Sequence, residues 1–198
     1  MNVPNKLTVS RLVMAPLFFI SFHLAQWFGP SLQNLASILT LVLWFLTELT
    51  DLLDGQIARR KNLVTDLGKV MDPFADTFSR LTYFVCLSGV GVMPLWTFIL
   101  IMWREFSILF VRMLMMGKGK PVAANIWGKS KAVLYAISGA LGIVYIALTN
   151  AFGDSAFLAQ AKPFVSLVFV LAALASVMSF LTYVKAIIRD GSLSSLSR

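Results

Sequence analysis

A chain of 198 residues with a net charge of +8 has room for one domain. Hydrophobic residues make up 58% of it and charged residues 13%, whereas soluble domains carry about a quarter charged residues. That balance excludes an ordinary water-soluble domain, and a lone cysteine, Cys86, excludes an internal disulfide and reads as a small packed side chain.

A helical membrane span needs roughly 20 apolar residues. In chain order the sequence predicts about six: Val9–Phe28, Leu35–Leu53, Val70–Val92, Leu95–Met116, Ala132–Leu148 and Phe164–Ile188. With short loops these use nearly the whole chain, so residues 1–198 read as a single all-α, polytopic membrane domain. The first run is long, lacks a small-residue cleavage site and is followed by further spans, which argues against a signal peptide. Gly29-Pro30 marks a break after the first span, and Gly153 and Pro163 mark a loop before the last.

Basic residues gather at Lys6 and Arg11, at Arg59, Arg60, Lys61 and Lys69, at Lys118, Lys120, Lys129 and Lys131, and at Lys185, Arg189 and Arg198. The intervening loops hold only Asp154 and Lys162. The positive-inside rule then predicts that both termini and the connection between the second and third spans are cytoplasmic. Topology and anionic membrane lipid account for the basic surplus, and nothing supports a nucleic-acid partner.

The second and third spans meet in the segment Asp51–Asp76, "DLLDGQIARRKNLVTDLGKVMDPFAD". Asp51, Asp54 and Ala58 fall at i, i+3 and i+7, on one helical face with Gly55 beside them. Gly68, Asp72 and Asp76 fall at i, i+4 and i+8 on another. A short connection forces the two helices to be antiparallel neighbours and brings four carboxylates together at the membrane surface. Such a group repels itself unless cations lie within it. Oxygen donors with no His or Cys nearby suit hard divalent ions, Mg²⁺ or Mn²⁺, and two such ions bridged by carboxylates are an arrangement used for phosphoryl chemistry. Gly55, Ala58 and Gly68 leave room for a phosphate, and Arg59 is placed to pair with one. Asp66 stands outside both spacings, as a loop residue or a cap for the third helix. Glu48 precedes Asp51 on a similar face and reads as an interhelical polar contact.

Asp51-x2-Asp54-Gly55-x2-Ala58-Arg59-x8-Gly68-x3-Asp72-x3-Asp76 resembles the signature of the CDP-alcohol phosphotransferases at all eight positions. The resemblance implies a six-helix membrane fold, a homodimer and a cytoplasm-facing site in the cytoplasmic (inner) membrane. It also implies the reaction, in which an alcohol displaces CMP from a CDP-activated lipid. Asp51, Asp54, Asp72 and Asp76 would hold two divalent ions, with Asp76 as general base. Asp54, Gly55, Ala58, Arg59 and Gly68 would line the CDP-diacylglycerol site, with Thr8 near the phosphates.

The signature leaves the alcohol open. "VPNKLTVSR" at the N-terminus, "DPFAD", "WREF" with Arg112, and "WGKSKA" are similar to the glycerol-3-phosphate branch of the family. A phosphorylated acceptor needs cations beyond the metals. Arg104 and Arg112 share a helical face, and Lys129 and Lys131 open the fifth span, so these four are the candidates for the acceptor phosphate. Alternatively Arg104 pairs with Glu105 and the lysines reach for the interface. Asn5, Thr8 and Arg11 resemble the family's N-terminal signature and lie near the CDP phosphates or anchor an interfacial helix. Related synthases carry Lys after the last signature aspartate; here Thr77 follows Asp76, and Arg80, one turn on, is placed to replace that charge. Inositol phosphate, inositol and serine stay open as acceptors. A small ion or solute transporter is the reading from another class, but it would place its acids at the bilayer midplane between repeated halves, and no repeat is evident.

Overall fold

In a computed structural model of the chain, residues 2–60, 65–117, 126–153 and 155–189 are described, and among them there is no strand. The first helix, α1 (Val3–Phe28), starts where the Asn2 side chain accepts the Asn5 N–H at 3.1 Å and Pro4 occupies the first turn. It is continuous from Val3, so Asn5, Thr8 and Arg11 belong to the same helix as the first apolar run. It ends at Gly29, whose φ of 113° suits a residue without Cβ, and a 3₁₀ turn over Pro30–Leu32 leads into α2 (Gln33–Arg60).

Thr65 caps α3 (Asp66–Gly89), accepting the Gly68 N–H at 3.0 Å. Asp66 is therefore the first helical residue, and the cap expected of it belongs to its neighbour. A tight turn containing Gly91 (φ 70°), in which Val92 and Met93 both donate to the Leu87 carbonyl, precedes α4 (Leu95–Gly117). After α5 (Ile126–Phe152), Gly153 turns the chain, and the Ser155 hydroxyl accepts the Leu158 N–H to open α6 (Ala156–Arg189).

Among the described residues, four helices are long and apolar enough to cross a membrane: α1, α2, α5 and α6. In α3, Asp72, Asp76 and Arg80 interrupt the apolar run, and in α4 Arg104, Glu105 and Arg112 do. The helices that fall short are two of those that carry the charged chemistry.

Helix α1 packs on α2 and α3, α5 on α6 and α2, and α4 on α3 and α6. Phe18, Tyr83, Phe84, Leu87, Ile101, Tyr135, Ile143 and Phe169 form the centre, with Phe84 edge-on to both Tyr135 and Phe169. Gly142 lets α5 approach α3: a Cβ there would stand 2.7 Å from Leu87 Cδ1. The outside is apolar, with Phe152 and Phe157 about three-quarters exposed, at 75% and 74%, whereas Thr8, Arg11, Asp54, Ser176 and Ser179 are buried. Apolar surface outside and polar side chains turned inward is the arrangement a lipid environment favours.

Candidate active site

The site begins on α1. Asn5, Thr8 and Arg11 recur every three residues, so one buried stripe of this helix faces α2 and α3. Asn5 Nδ2 donates to Thr65 Oγ1 at 3.2 Å, tying α1 to the cap of α3. Gly68 is the contact point, because a Cβ there would stand 3.0 Å from Asn5 Oδ1. A side chain at position 68 would thus press on Asn5 Oδ1 and Thr65 Oγ1. The Thr8 hydroxyl lies 2.5 Å from Asp72 Oδ1 and 3.4 Å from Asp54 Oδ2.

Arg11 occupies the middle of the acids. Its Nη1 donates to Asp51, its Nη2 donates to Asp54 Oδ2 at 2.5 Å, and Asp72 Oδ1 lies 3.7 Å from the same Nη2. The Arg11 side chain is only 1% exposed and Asp54 is 3% exposed, so this pairing takes place out of water. Three carboxylates from two helices share one guanidinium from a third.

Asp76 stands apart from that group, held at 2.5 Å by Arg80 one turn further along α3. The Arg80 guanidinium carbon lies 5.8 Å from the centre of the Tyr135 ring. Arg80 and Asp76, with Glu48, Asp51, Arg11 and Tyr83, border a narrow polar gap between α1, α2 and α3. Glu48 is therefore part of the polar lining beside the acids.

Asp76 has a second aspect. A cavity of about 230 Å³ between α3, α4, α5 and α6 is bordered by Asp76, Thr77, Arg104, Arg112, Lys131 and Tyr183. Arg104 Nη1 donates to Glu105 Oε1 at 2.8 Å and its Nη2 to Ser179 Oγ at 2.9 Å. Lys131 Nζ donates to the same Glu105 oxygen at 2.6 Å and sits 4.6 Å over the Tyr135 ring. The pairing of Arg104 with Glu105 thus coexists with a place on the cavity wall. The side chains of Ala58, Arg59 and Lys129 lie outside the described residues.

The profile of the CDP-alcohol phosphatidyltransferase family matches residues 1–187. The chain belongs to that family. It is 34% identical over 140 residues to the CDP-diacylglycerol–glycerol-3-phosphate 3-phosphatidyltransferase of Treponema pallidum, covering 68% of this chain and 65% of that protein, just under two thirds of its length. It is 35% identical over 147 residues to the Bacillus subtilis protein of the same name, covering 71% and 76%. A probable phosphatidylglycerophosphate synthase of Mycobacterium tuberculosis is 29% identical over 189 residues, covering 96% and 83%.

As a CDP-alcohol phosphatidyltransferase the chain is expected to use divalent metal, and its donor set bears on this. Carboxylate oxygens are the ligands that hard divalent ions take. Asp51 and Asp54 offer them from α2 and Asp72 and Asp76 from α3, two helices expected to be direct neighbours but, among the described residues, each packed on α1 instead. Among the described residues no three acidic, His or Cys side chains close around a metal-sized centre. The positive charge inside the acids is the Arg11 guanidinium. The donor chemistry fits Mg²⁺ or Mn²⁺, and the single Arg11 guanidinium offsets only one of the three negative charges around it. The sequence offers two signals for Arg11, its resemblance with Asn5 and Thr8 to the family's N-terminal signature and their three-residue spacing, but neither points to its place among the aspartates.

Proposed function

We propose that the chain transfers the phosphatidyl group of CDP-diacylglycerol to glycerol-3-phosphate, giving phosphatidylglycerophosphate and CMP. The observation that carries this reading is the position of Asp76. Among the described residues it is the one side chain that borders both the acid-side gap and the basic cavity. A general base must touch the attacking alcohol while standing beside the phosphate being attacked. Three cations around that cavity suit an acceptor that is itself a phosphate monoester.

In this reaction the acceptor hydroxyl oxygen bonds to the phosphorus that carries diacylglycerol. The bond from that phosphorus to the CMP oxygen breaks, CMP leaves, and Asp76 takes the hydroxyl proton. Arg104, Arg112 and Lys131 hold the acceptor phosphate at the other end. Asp51, Asp54, Asp72 and Asp76 would hold two divalent ions, Mg²⁺ or Mn²⁺, which when bound neutralise the diphosphate and improve CMP as a leaving group. Thr8, Gly55, Ala58, Arg59 and Gly68 belong to the CDP-diacylglycerol side. Residues 1–198 act as one domain in the cytoplasmic membrane, as a homodimer with the site facing the cytoplasm.

The test is CMP release by purified protein from labelled CDP-diacylglycerol with divalent metal and a panel of acceptors: glycerol-3-phosphate, inositol phosphate, inositol, serine and phosphatidylglycerol. Release with glycerol-3-phosphate is the expected result, and release with none of them sinks the reading. Asp76→Asn should lower turnover by about 10²–10⁴-fold while CDP-diacylglycerol binding persists. Wild-type turnover in that variant removes its role as base.

A further inference from the structure

Besides Asp76, the basic cavity holds a second carboxylate, Glu105, to which the proposed reaction gives no role. Glu105 Oε1 accepts from both Arg104 Nη1 and Lys131 Nζ, at 2.8 and 2.6 Å. These donors come from α4 and α5, and α6 adds Ser179 on the other Nη of Arg104, 2.9 Å away. Arg104 and Lys131 are 8% and 9% exposed, so water does little to screen one from the other. Two buried cations brought to one wall repel each other unless an anion lies between them. Glu105 is that anion.

We propose that Glu105 is the positioning residue of the acceptor pocket, fixing Arg104 and Lys131 as a pair shaped and charged for a phosphate monoester. The inference rests on the acceptor site proposed above. Three cations and two carboxylates border the cavity; Asp76 is paired with Arg80 outside the lining and Glu105 offsets one cation, which leaves two positive charges for a dianion. Both Nη atoms of Arg104 are already anchored, so the guanidinium is held before the acceptor arrives, and little ordering cost falls on binding.

Charge alone and positioning predict opposite signs when the carboxylate is neutralised. If Glu105 only dilutes positive charge, Glu105→Gln tightens binding of an anionic acceptor. If it positions the pair, the two cations part and binding weakens. In steady-state assays of the full-length enzyme, Glu105→Gln should raise the KM for glycerol-3-phosphate tenfold or more. Its kcat should stay within about threefold of wild type and its KM for CDP-diacylglycerol within about twofold. Glu105→Asp, which keeps the charge on a shorter arm, should recover part of the loss. Ser179→Ala removes the other anchor of Arg104 and should shift acceptor KM in the same direction by a smaller factor; it decides the matter if Glu105→Gln fails to fold. An acceptor KM in Glu105→Gln that is unchanged or lower overturns the proposal, as does a folding failure of that variant combined with an unchanged KM in Ser179→Ala. Absence of acceptor-dependent CMP release by the wild-type enzyme instead defeats the function proposed above, and this inference with it.

Discussion

Removing the Arg11 guanidinium would leave Asp51, Asp54 and Asp72 facing one another with their resident counter-charge gone. Asp54 is buried with Arg11, and taking one partner from a buried ion pair costs about 3–5 kcal/mol, whereas Asp51 and Asp72, with side chains 40% and 45% exposed, keep water and add less. Arg11→Ala should therefore show a markedly lower thermal midpoint in detergent. Mg²⁺ or Mn²⁺ should raise the midpoint of this variant more than that of wild type, since divalent ions can supply the missing charge. An Arg11→Ala protein as stable as wild type, with no extra response to metal, removes the guanidinium from this role. The spacing of the aspartates was legible in the sequence, because it is fixed by helical geometry within α2 and within α3; that both helices would pack on α1 was not. The pairing of Arg11 with these acids was not legible, because Asp51, Asp54 and Asp72 are far from it in the chain and a basic residue at the foot of a membrane helix has an equally good outlet at the lipid surface.

At the scale of helices, α5 depends on Gly142 for its approach to α3. A methyl group at this position would meet Leu87 Cδ1 at 2.7 Å and the Phe169 ring at 3.1 Å. Both belong to the packed centre, so Gly142→Ala should cost about 1–3 kcal/mol through overpacking. Thermal unfolding in detergent measures this, and a midpoint equal to wild type would mean that Leu87 moves aside without cost. The helices were legible from apolar run length, and Gly29 and Gly153 placed the ends of α1 and α5, but Pro163, read as part of a loop, lies inside α6, which starts at Ala156. The exact starts of the helices were less legible. α1 begins at Val3, well before the apolar run, because the polar residues Asn5, Thr8 and Arg11 are helical and buried. Hydropathy counts such residues as surface, whereas their partners here are side chains of α2 and α3. The same blindness applies to α3 and α4, whose charges face the interior gap and cavity. Arg104 and Arg112 were placed on one face by spacing, but their meeting with Asp76 depends on how α4 packs against α3 and α6, which no local pattern records.

For the molecule as a whole, the distribution of basic residues predicts an orientation with both termini in the cytoplasm. Cysteine labelling tests it, because the native Cys86 is buried and should stay silent. A thiol introduced by Ser195→Cys should react with an impermeant reagent in inverted membrane vesicles and be protected in right-side-out ones. One introduced by Phe157→Cys should do the reverse, and the opposite pattern would invert the topology. The two polar regions also divide along the chain. Apart from Asp76 itself, the gap beside the acids is bordered by residues up to Tyr83, and the cations of the basic cavity come from Arg104 onward, beyond the turn at Gly91. On the proposed function, activation of the lipid is thus encoded in the first half of the chain and the choice of alcohol in the second. An exchange of residues after Gly91 with a relative that uses a different alcohol should change the acceptor KM and leave the CDP-lipid KM in place. A lineage could then acquire a new headgroup by drift in one half of the chain, with the phosphoryl-transfer apparatus inherited intact.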